Sequence, residues 1–295
     1  MRALIRGRRV LGGLHSASSL ERIGDFYFVV SDDSSELYRL DLQGNLVGTT
    51  RLFESPAAPG ERIPKKSKPD LEAMCCVEWK GKRELFCFGS GSKAPTRDVC
   101  YRVDVTNPAS PQNVRTISLS ALYHAFRAAR EIVGTQTLNL EAAATTQDAI
   151  LLFQRGNISG HNTVTQIELG AFMKYLDAPN EMPPSARVSH YELPYIKNRR
   201  AGFSAATVFD HSIYFAAAVE DTDNEIDDGA KFGSFIGRID ANKLQWIAVV
   251  EQDDEIAAVK IEGIAIQNVR ANHVELVAVT DDDEGPSEFL RIEIQ

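Results

Sequence analysis

Five segments of this chain repeat one pattern, and that recurrence restricts the fold more than any single residue does. They are "LHSASSLERIGDFYFVVSDDSSELYRLDL", "LEAMCCVEWKGKRELFCFGSGSKAPTRDVCYRVDV", "LEAAATTQDAILLFQRGNISGHNTVTQIEL", "FSAATVFDHSIYFAAAVEDTDNEIDDGAKFGSFIGRID" and "IEGIAIQNVRANHVELVAVTDDDEGPSEFLRIEI". Each gives a small-residue strand, a turn, a second apolar strand, a polar loop and a third strand. The matching positions near their starts are Ser16, Glu72, Glu141, Ser204 and Glu262, spaced 56, 69, 63 and 58 residues apart. That spacing leaves room for a fourth strand, and "NLVGTTRLF", "QNVRTISLS", "ARVSHYELP" and "LQWIAVVEQ" supply it after four of the copies. The fifth copy stops at Gln295 without one, and the N-terminal "RALIRGRRVL" has the length to provide it.

Four-stranded sheets repeated radially make a β-propeller, which buries a core between neighbouring blades and leaves only short edges. The expected fold is therefore all-β, a single propeller domain over residues 1–295. Five blades fit the count, closed by an N-terminal strand that completes the last one; six is the alternative, because "FESPAAPGERIPKKSKPD" is long enough to hide irregular strands. "SALYHAFRAAREIV" predicts one helical insertion near residues 120–133. Ala, Ser, Gly and Cys dominate the proposed inner strands, which suits crowding around an axis, and large side chains gather on strands farther out.

An excess of 41 acidic over 32 basic residues, a net charge of −9, opposes nucleic-acid binding. The N-terminal segment has no continuous apolar run, so neither a secretory signal nor a membrane span is expected, and a cytoplasmic location is the default. Cys75, Cys76, Cys87 and Cys100 lack paired C-x-x-C spacing and read as buried, reduced thiols. The basic clusters "RIPKKSK" and "KNRR" read as solvated loop charge, with neutralisation of an anionic ligand as the alternative.

"GLHSAS", "SDDSSELYRLDLQGNLV", "RIPKKSKPDLEA" and "LNLEAAA" resemble an uncharacterised bacterial β-propeller family over essentially the whole chain. More loosely, "KIEGIAI" is similar to the Glu-Gly strand starts of propellers labelled as having esterase-like activity of phytase. The closer resemblance implies a propeller without an established reaction. Ser16 and Ser204 stand where the other copies carry glutamate, so a ring of carboxylates is incomplete.

A propeller gathers its inner-strand entrances and second-to-third-strand loops around one channel mouth. The candidates for a polar or anionic ligand there, small or polymeric, are Asp32, Asp33, Lys68, Asp70, Glu72, Glu141, Arg155, Ser204, Lys260, Glu262 and Asp281. Three glutamates facing one narrow channel repel, which raises at least one pKa unless a cation sits among them. Period-two alternation puts Lys68, Asp70 and Glu72 on one side of an extended chain, and Lys260 with Glu262, so the lysines are the expected compensation. The bland expectation is that each glutamate pairs with a lysine or a neighbouring backbone and only fixes the ring. A metal site would use Glu72, Glu141 and Glu262 for calcium or magnesium. A hydrolase of esters, lactones or glycosides would take its acid and base from the same three, and a protein-interaction scaffold would need none of them. "EDTDNEIDDG" spaces Asp221, Asp223, Glu225 and Asp227 like early calcium-loop ligands, but Ile226 stands where that loop needs Gly, so it reads as an acidic loop. "GSGSK" resembles a phosphate cradle in composition only.

Overall fold

A computed structural model describes residues 1–55, 57, 61–179, 181–222, 229–270, 273–282 and 285–295. The chain begins with β1 (Ala3–His15), then β2 (Ala17–Ile23), β3 (Phe26–Ser31), β4 (Glu36–Asp41) and β5 (Leu46–Arg51) form a four-stranded antiparallel sheet in that order. A second such sheet is β6 (Leu71–Trp79), β7 (Lys82–Gly89), β8 (Val99–Asp104) and β9 (Gln112–Ser118). Helices α1 (Ser120–Ala128) and α2 (Arg130–Val133) follow, where the helical insertion was expected. The third sheet is β10 (Leu140–Thr145), β11 (Ala149–Gln154), β12 (Asn162–Glu168) and β13 (Ala186–Tyr191), with α3 (Leu169–Asp177) between its last two strands. After the small hairpin β14 (Tyr195–Ile196) and β15 (Arg199–Arg200) come β16 (Gly202–Phe209), β17 (Ser212–Asp221), β18 (Ala230–Asp240), β19 (Lys243–Gln252), β20 (Glu255–Ile256), β21 (Lys260–Arg270), β22 (His273–Asp281) and β23 (Pro286–Ile294).

The last strands merge into one nine-stranded sheet of order β16-β17-β18-β19-β1-β23-β22-β21, with β20 beside β19. The N-terminal strand makes the junction. It runs antiparallel along β23, Ala3 opposite Ile294 and Val10 opposite Glu288, and parallel to β19 at Ala3 and Leu4. The expected completion of the last sheet by the N-terminus is thus present, but β1 also bridges to the preceding sheet, so the blade count depends on where the merged sheet is divided.

The first strands β2, β6, β10, β16 and β21 contact one another in cyclic order, β21 returning to β2. Apolar clusters lie between successive sheets: Phe28, Val30 and Met74 in one, Phe86, Phe88 and Phe172 in the next, then Phe153, Phe203 and Phe215, then Tyr214, Ile236 and Ile264, and finally Tyr27, Val277 and Phe289. All four cysteines are free, and Cys75, Cys87 and Cys100 are buried; burial pushes the Cys75 thiol up to about 12, which makes it inert. No helix among the described residues is long and apolar enough to cross a membrane.

Crowding at the axis selects small residues. A Cβ on Gly263 would stand 2.6 Å from both Cβ and backbone N of Leu20 on the neighbouring inner strand. Since a backbone atom cannot yield cheaply, Gly263→Ala is expected to cost about 1–3 kcal/mol in urea unfolding. An unchanged unfolding midpoint would show that the two strands have room to separate.

Candidate functional site at the channel mouth

Each inner strand carries a β-bulge at the same place. In β6, Leu71 pairs with Gly89 and Ala73 with Phe88, so Glu72 has no partner of its own; the same step occurs at Ser18, Glu141, Ser204 and Glu262. Inner-strand residues on either side of the step alternate between two apolar interfaces, whereas a bulge re-aims its side chain. That is how a carboxylate can stand in a strand whose neighbours are all buried. It also corrects the sequence alignment, because the first member of the ring is Ser18 rather than Ser16.

The two serines do a different job from the three glutamates. Ser18 Oγ donates to the carbonyl of Leu71, and Ser204 Oγ donates to that of Ile261 at 2.6 Å, so each ties its strand to the residue just before the next glutamate. Ser204 is fully buried in this contact and does not reach the cavity, contrary to the expectation that placed it among the ligand-binding candidates. The other ten candidates, Asp32, Asp33, Lys68, Asp70, Glu72, Glu141, Arg155, Lys260, Glu262 and Asp281, all line one cavity of about 160 Å³. Sequence reasoning missed Glu220 and Arg97, which line it too. Glu220 extends from β17, which runs on past the length of the second strands in the first three sheets; Arg97 comes from the loop that resembled a phosphate cradle.

The charges form two groups. In the first, Lys68 Nζ contacts Asp32 Oδ2 and lies 3.2 Å from Asp70 Oδ1, Arg97 pairs with Asp70 Oδ2, and Ser90 Oγ donates to the same oxygen at 2.5 Å. Arg62 lies 3.3 Å from Asp33. Lys68, Asp70 and Glu72 do converge, but through the left-handed turn at Asp70 (φ 57°) and the bulge at Glu72 rather than through alternation. In the second group, Arg155 bridges Glu141, at 3.3 Å, and Glu220, while Lys260 Nζ stands 3.5, 3.3 and 3.4 Å from Glu220, Glu262 and Asp281. Asn139 Nδ2 donates to Glu141 Oε1.

The bland expectation holds for Glu141 only in that it is paired: its partners are the Arg155 guanidinium and the Asn139 side-chain amide, not a lysine or a neighbouring backbone. It holds by half for Glu262, which is 2% exposed, faces Lys260, and accepts no hydrogen bond at either oxygen. For Glu72 it fails: among the described residues it has neither a hydrogen bond nor an ion pair, and it borders the cavity. Burial, reinforced by Asp70, Glu141 and Asp32, pushes the Glu72 carboxyl well above the usual range, with Lys68 only partly opposing. Burial also lifts Asp32 to about 7 against the pull of Lys68. Glu262 rises for the same reason, whereas at Glu220 burial is outweighed by Lys260 and Arg155 and the carboxyl falls below its ordinary value.

The expected metal set does not fit. Glu141 is engaged by Asn139 and Arg155, and Glu262 by Lys260, so Glu72, Glu141 and Glu262 do not offer three open carboxylates. The carboxyl oxygens that do cluster, within 4.8 Å of one another, belong to Asp32, Asp70 and Glu72. There the Lys68 ammonium already bridges Asp32 and Asp70, supplying the positive charge that calcium or magnesium would bring. The melting temperature is expected to be the same in millimolar calcium and in chelator; a rise of several degrees with calcium would mean that the ion displaces Lys68. The calcium-loop reading of 223–228 lies outside the described residues, and Asp221 pairs with Arg199 at 2.7 Å away from the cavity. Neither His15 nor His161 reaches it; His161 packs edge-on against His190.

Two solved structures share the fold over the full length. Glutaminyl cyclase of Myxococcus xanthus is 10% identical with a TM-score of 0.54, covering 100% of this chain and 98% of its own. The α-L-arabinofuranosidase of Podospora anserina, solved with cellotriose, is 11% identical at 0.54, covering 100% and 96%. One is a glutaminyl cyclase and the other an arabinofuranosidase, so the likeness carries architecture and not reaction. No curated protein matches the sequence. It is the uncharacterised family, rather than the esterase-like phytase propellers, that the sequence match supports: residues 13–294 fit the model of a family of unknown function, DUF6929, and the chain belongs to that family.

Proposed function

We propose that this propeller, which we divide into five blades by splitting the merged sheet at the parallel β19–β1 junction, is a hydrolase of a hydroxyl-bearing ester or lactone. The observation that carries the reading is Glu72, a carboxyl on the cavity with no internal partner among the described residues, whose pKa burial and its acidic neighbours push well above the usual range. A structural carboxylate would be paired; one left unpaired on a cavity, with its proton held more tightly than usual, is suited to donate.

The ligand follows from what the cavity leaves open. Eight carboxyl groups and six cations line it, and every one of those cations has a partner. The centre therefore has no spare positive charge for an anion, while Glu72 faces it unpaired and Glu262 and Oδ1 of Asp32 lie buried in its wall with their hydrogen-bonding capacity unused, which favours hydroxyl groups as the ligand's contacts.

The spacing of Asp32 and Glu72 bears on the bond class. Oxygens of Asp32 and Glu72 lie within 4.8 Å, well short of the roughly 6.5–9.5 Å that an inverting glycosidase needs to fit its water. A retaining glycosidase would use the ionised fraction of Asp32 as its nucleophile, a second reading that this spacing allows and that the substrate panel separates. Two close carboxyls that share a proton suit water attack on an acyl carbon: Asp32 takes the proton from water, and Glu72 gives one to the departing alkoxide.

The test is a panel of hydroxylated lactones, sugar esters and aryl glycosides, followed for binding and turnover. Hydrolysis of the acyl substrates is expected. Turnover of glycosides alone would overturn the bond class, and binding without turnover of anything would reduce the site to a ligand-binding module.

A further inference from the structure

Beside the central cavity lies a second chamber of about 310 Å³ that shares Asn157, Glu220 and Thr222 with it and is otherwise lined by the β14–β15 hairpin and Ile158. The hairpin turns tightly. Its two turn residues, Lys197 and Asn198, both have positive φ, 48° and 64°, the tight turn that matches strand twist. Tyr195 and Arg200 are cross-strand partners, and the Arg200 guanidinium sits over the Tyr195 ring at 5.1 Å.

Arg200 is also pinned from the other side. A Cβ on Gly160 would stand 1.2 Å from Arg200 Nη1, so the guanidinium occupies the space that only a glycine leaves open. Its neighbour Arg199 is taken by Asp221. Among the described residues Arg200 has no hydrogen bond or ion pair, in a protein whose acidic residues outnumber its basic ones by 41 to 32. An arginine held in place on two sides, opening on a chamber and left without a carboxylate, is pre-organised for an anion from outside. At the boundary between the two spaces Asn157 has a buried side-chain oxygen without a partner, an acceptor that suits a hydroxyl of the ligand and not its anion.

We propose that this chamber is an anion subsite of the same pocket: Arg200 receives the carboxylate or phosphate of a ligand whose hydroxylated part lies in the central cavity. The inference rests on the hydroxylated-ligand reading above and narrows it to acidic members of that class, sugar acids or sugar phosphates. Charge neutralisation at the centre and a pinned, unpaired guanidinium at the side assign the two ends of the ligand to different places.

Calorimetric titration of methyl β-glucoside, methyl β-glucuronide and glucose 6-phosphate into the wild type, Arg200→Gln and Arg200→Lys tests it. At least one anionic sugar is expected to bind about tenfold more tightly than the glucoside, the size of one charge-assisted hydrogen-bonded contact, and which of the two gains more separates carboxylate from phosphate. The advantage should vanish in Arg200→Gln, survive in part in Arg200→Lys, which keeps the charge but not the fork, and shrink in high salt. Equal binding of all three by the wild type, or an advantage that persists in Arg200→Gln, overturns the subsite alone. If none of the three binds to the wild type, the hydroxylated-ligand reading falls and the subsite with it.

Discussion

Arg155→Met is expected to destabilise the protein by about 3–5 kcal/mol at pH 8 and by clearly less at pH 5. The guanidinium is nearly inaccessible and lies between Glu141 and Glu220, themselves almost fully buried. Methionine fills much of the volume but leaves the two carboxylates with Lys260 and the Asn139 amide in place of the guanidinium. Burial already holds Glu141 above its ordinary value even with Arg155 present; without it, Glu141 rises further and the depression of Glu220 is weakened. A carboxyl whose folded pKa lies above its unfolded value binds more protons in the native state, so native stability falls as pH climbs through that interval. Acid therefore replaces the missing cation, and the penalty shrinks as pH drops from 8 to 5. Urea unfolding of both proteins at the two pH values measures it. An equal loss at both would mean that Arg155 matters through packing and that the carboxylates find other compensation.

The residues that make this network were only partly visible beforehand, and the reason is physical. Glu141, Glu262 and Lys260 occupy equivalent inner-strand entrances, so a repeat alignment finds them. The bulge that turns the glutamates toward the axis adds one residue to a strand without changing its composition, which is why alignment by pattern took Ser16 where the backbone places Ser18. Nothing local links Arg155 to Glu220, 65 positions apart, or Arg97 to Asp70; such pairs exist only once the ring has closed. The missed helix α3 is different, because its signals were present: Leu169, Phe172, Met173 and Leu176 have helical spacing, and Glu168 caps it by accepting from the backbone N–H of Gly170 and Ala171. Its nine residues follow β12 without a break, so the strand pattern runs straight into the helix. The closing role of the N-terminal segment was legible from a missing fourth strand, but its second edge against β19 was not, since two parallel pairs at Ala3 and Leu4 leave no mark on the pattern.

Glu72→Gln is expected to lower turnover of an alkyl ester or lactone by about 10²- to 10⁴-fold, the range supplied by one positioned proton donor. Glutamine copies the shape of the protonated acid and keeps a hydrogen-bond donor, so the ligand should still bind; what disappears is the transferable proton. The loss should be much smaller for a nitrophenyl ester, whose leaving group departs as a stable anion and needs no acid. Stability gives an independent readout with a fixed sign. Because burial and its acidic neighbours raise the Glu72 carboxyl in the folded state, its ionisation works against folding as pH rises above the unfolded value, and an amide that cannot ionise is free of that penalty. The variant should match the wild type near pH 5 and equal or exceed it near pH 9, so a dead variant with this profile cannot be dismissed as misfolded. In the wild type, activity should rise through an apparent pKa close to that of Asp32, about 7, as the base ionises, and fall again as the proton leaves Glu72; both values belong to the interacting pair rather than to either residue alone. The alkaline limb should be absent from the nitrophenyl reaction. An alkyl ester hydrolysed at the wild-type rate by Glu72→Gln would remove Glu72 from the chemistry and, with it, the observation on which the hydrolase reading stands.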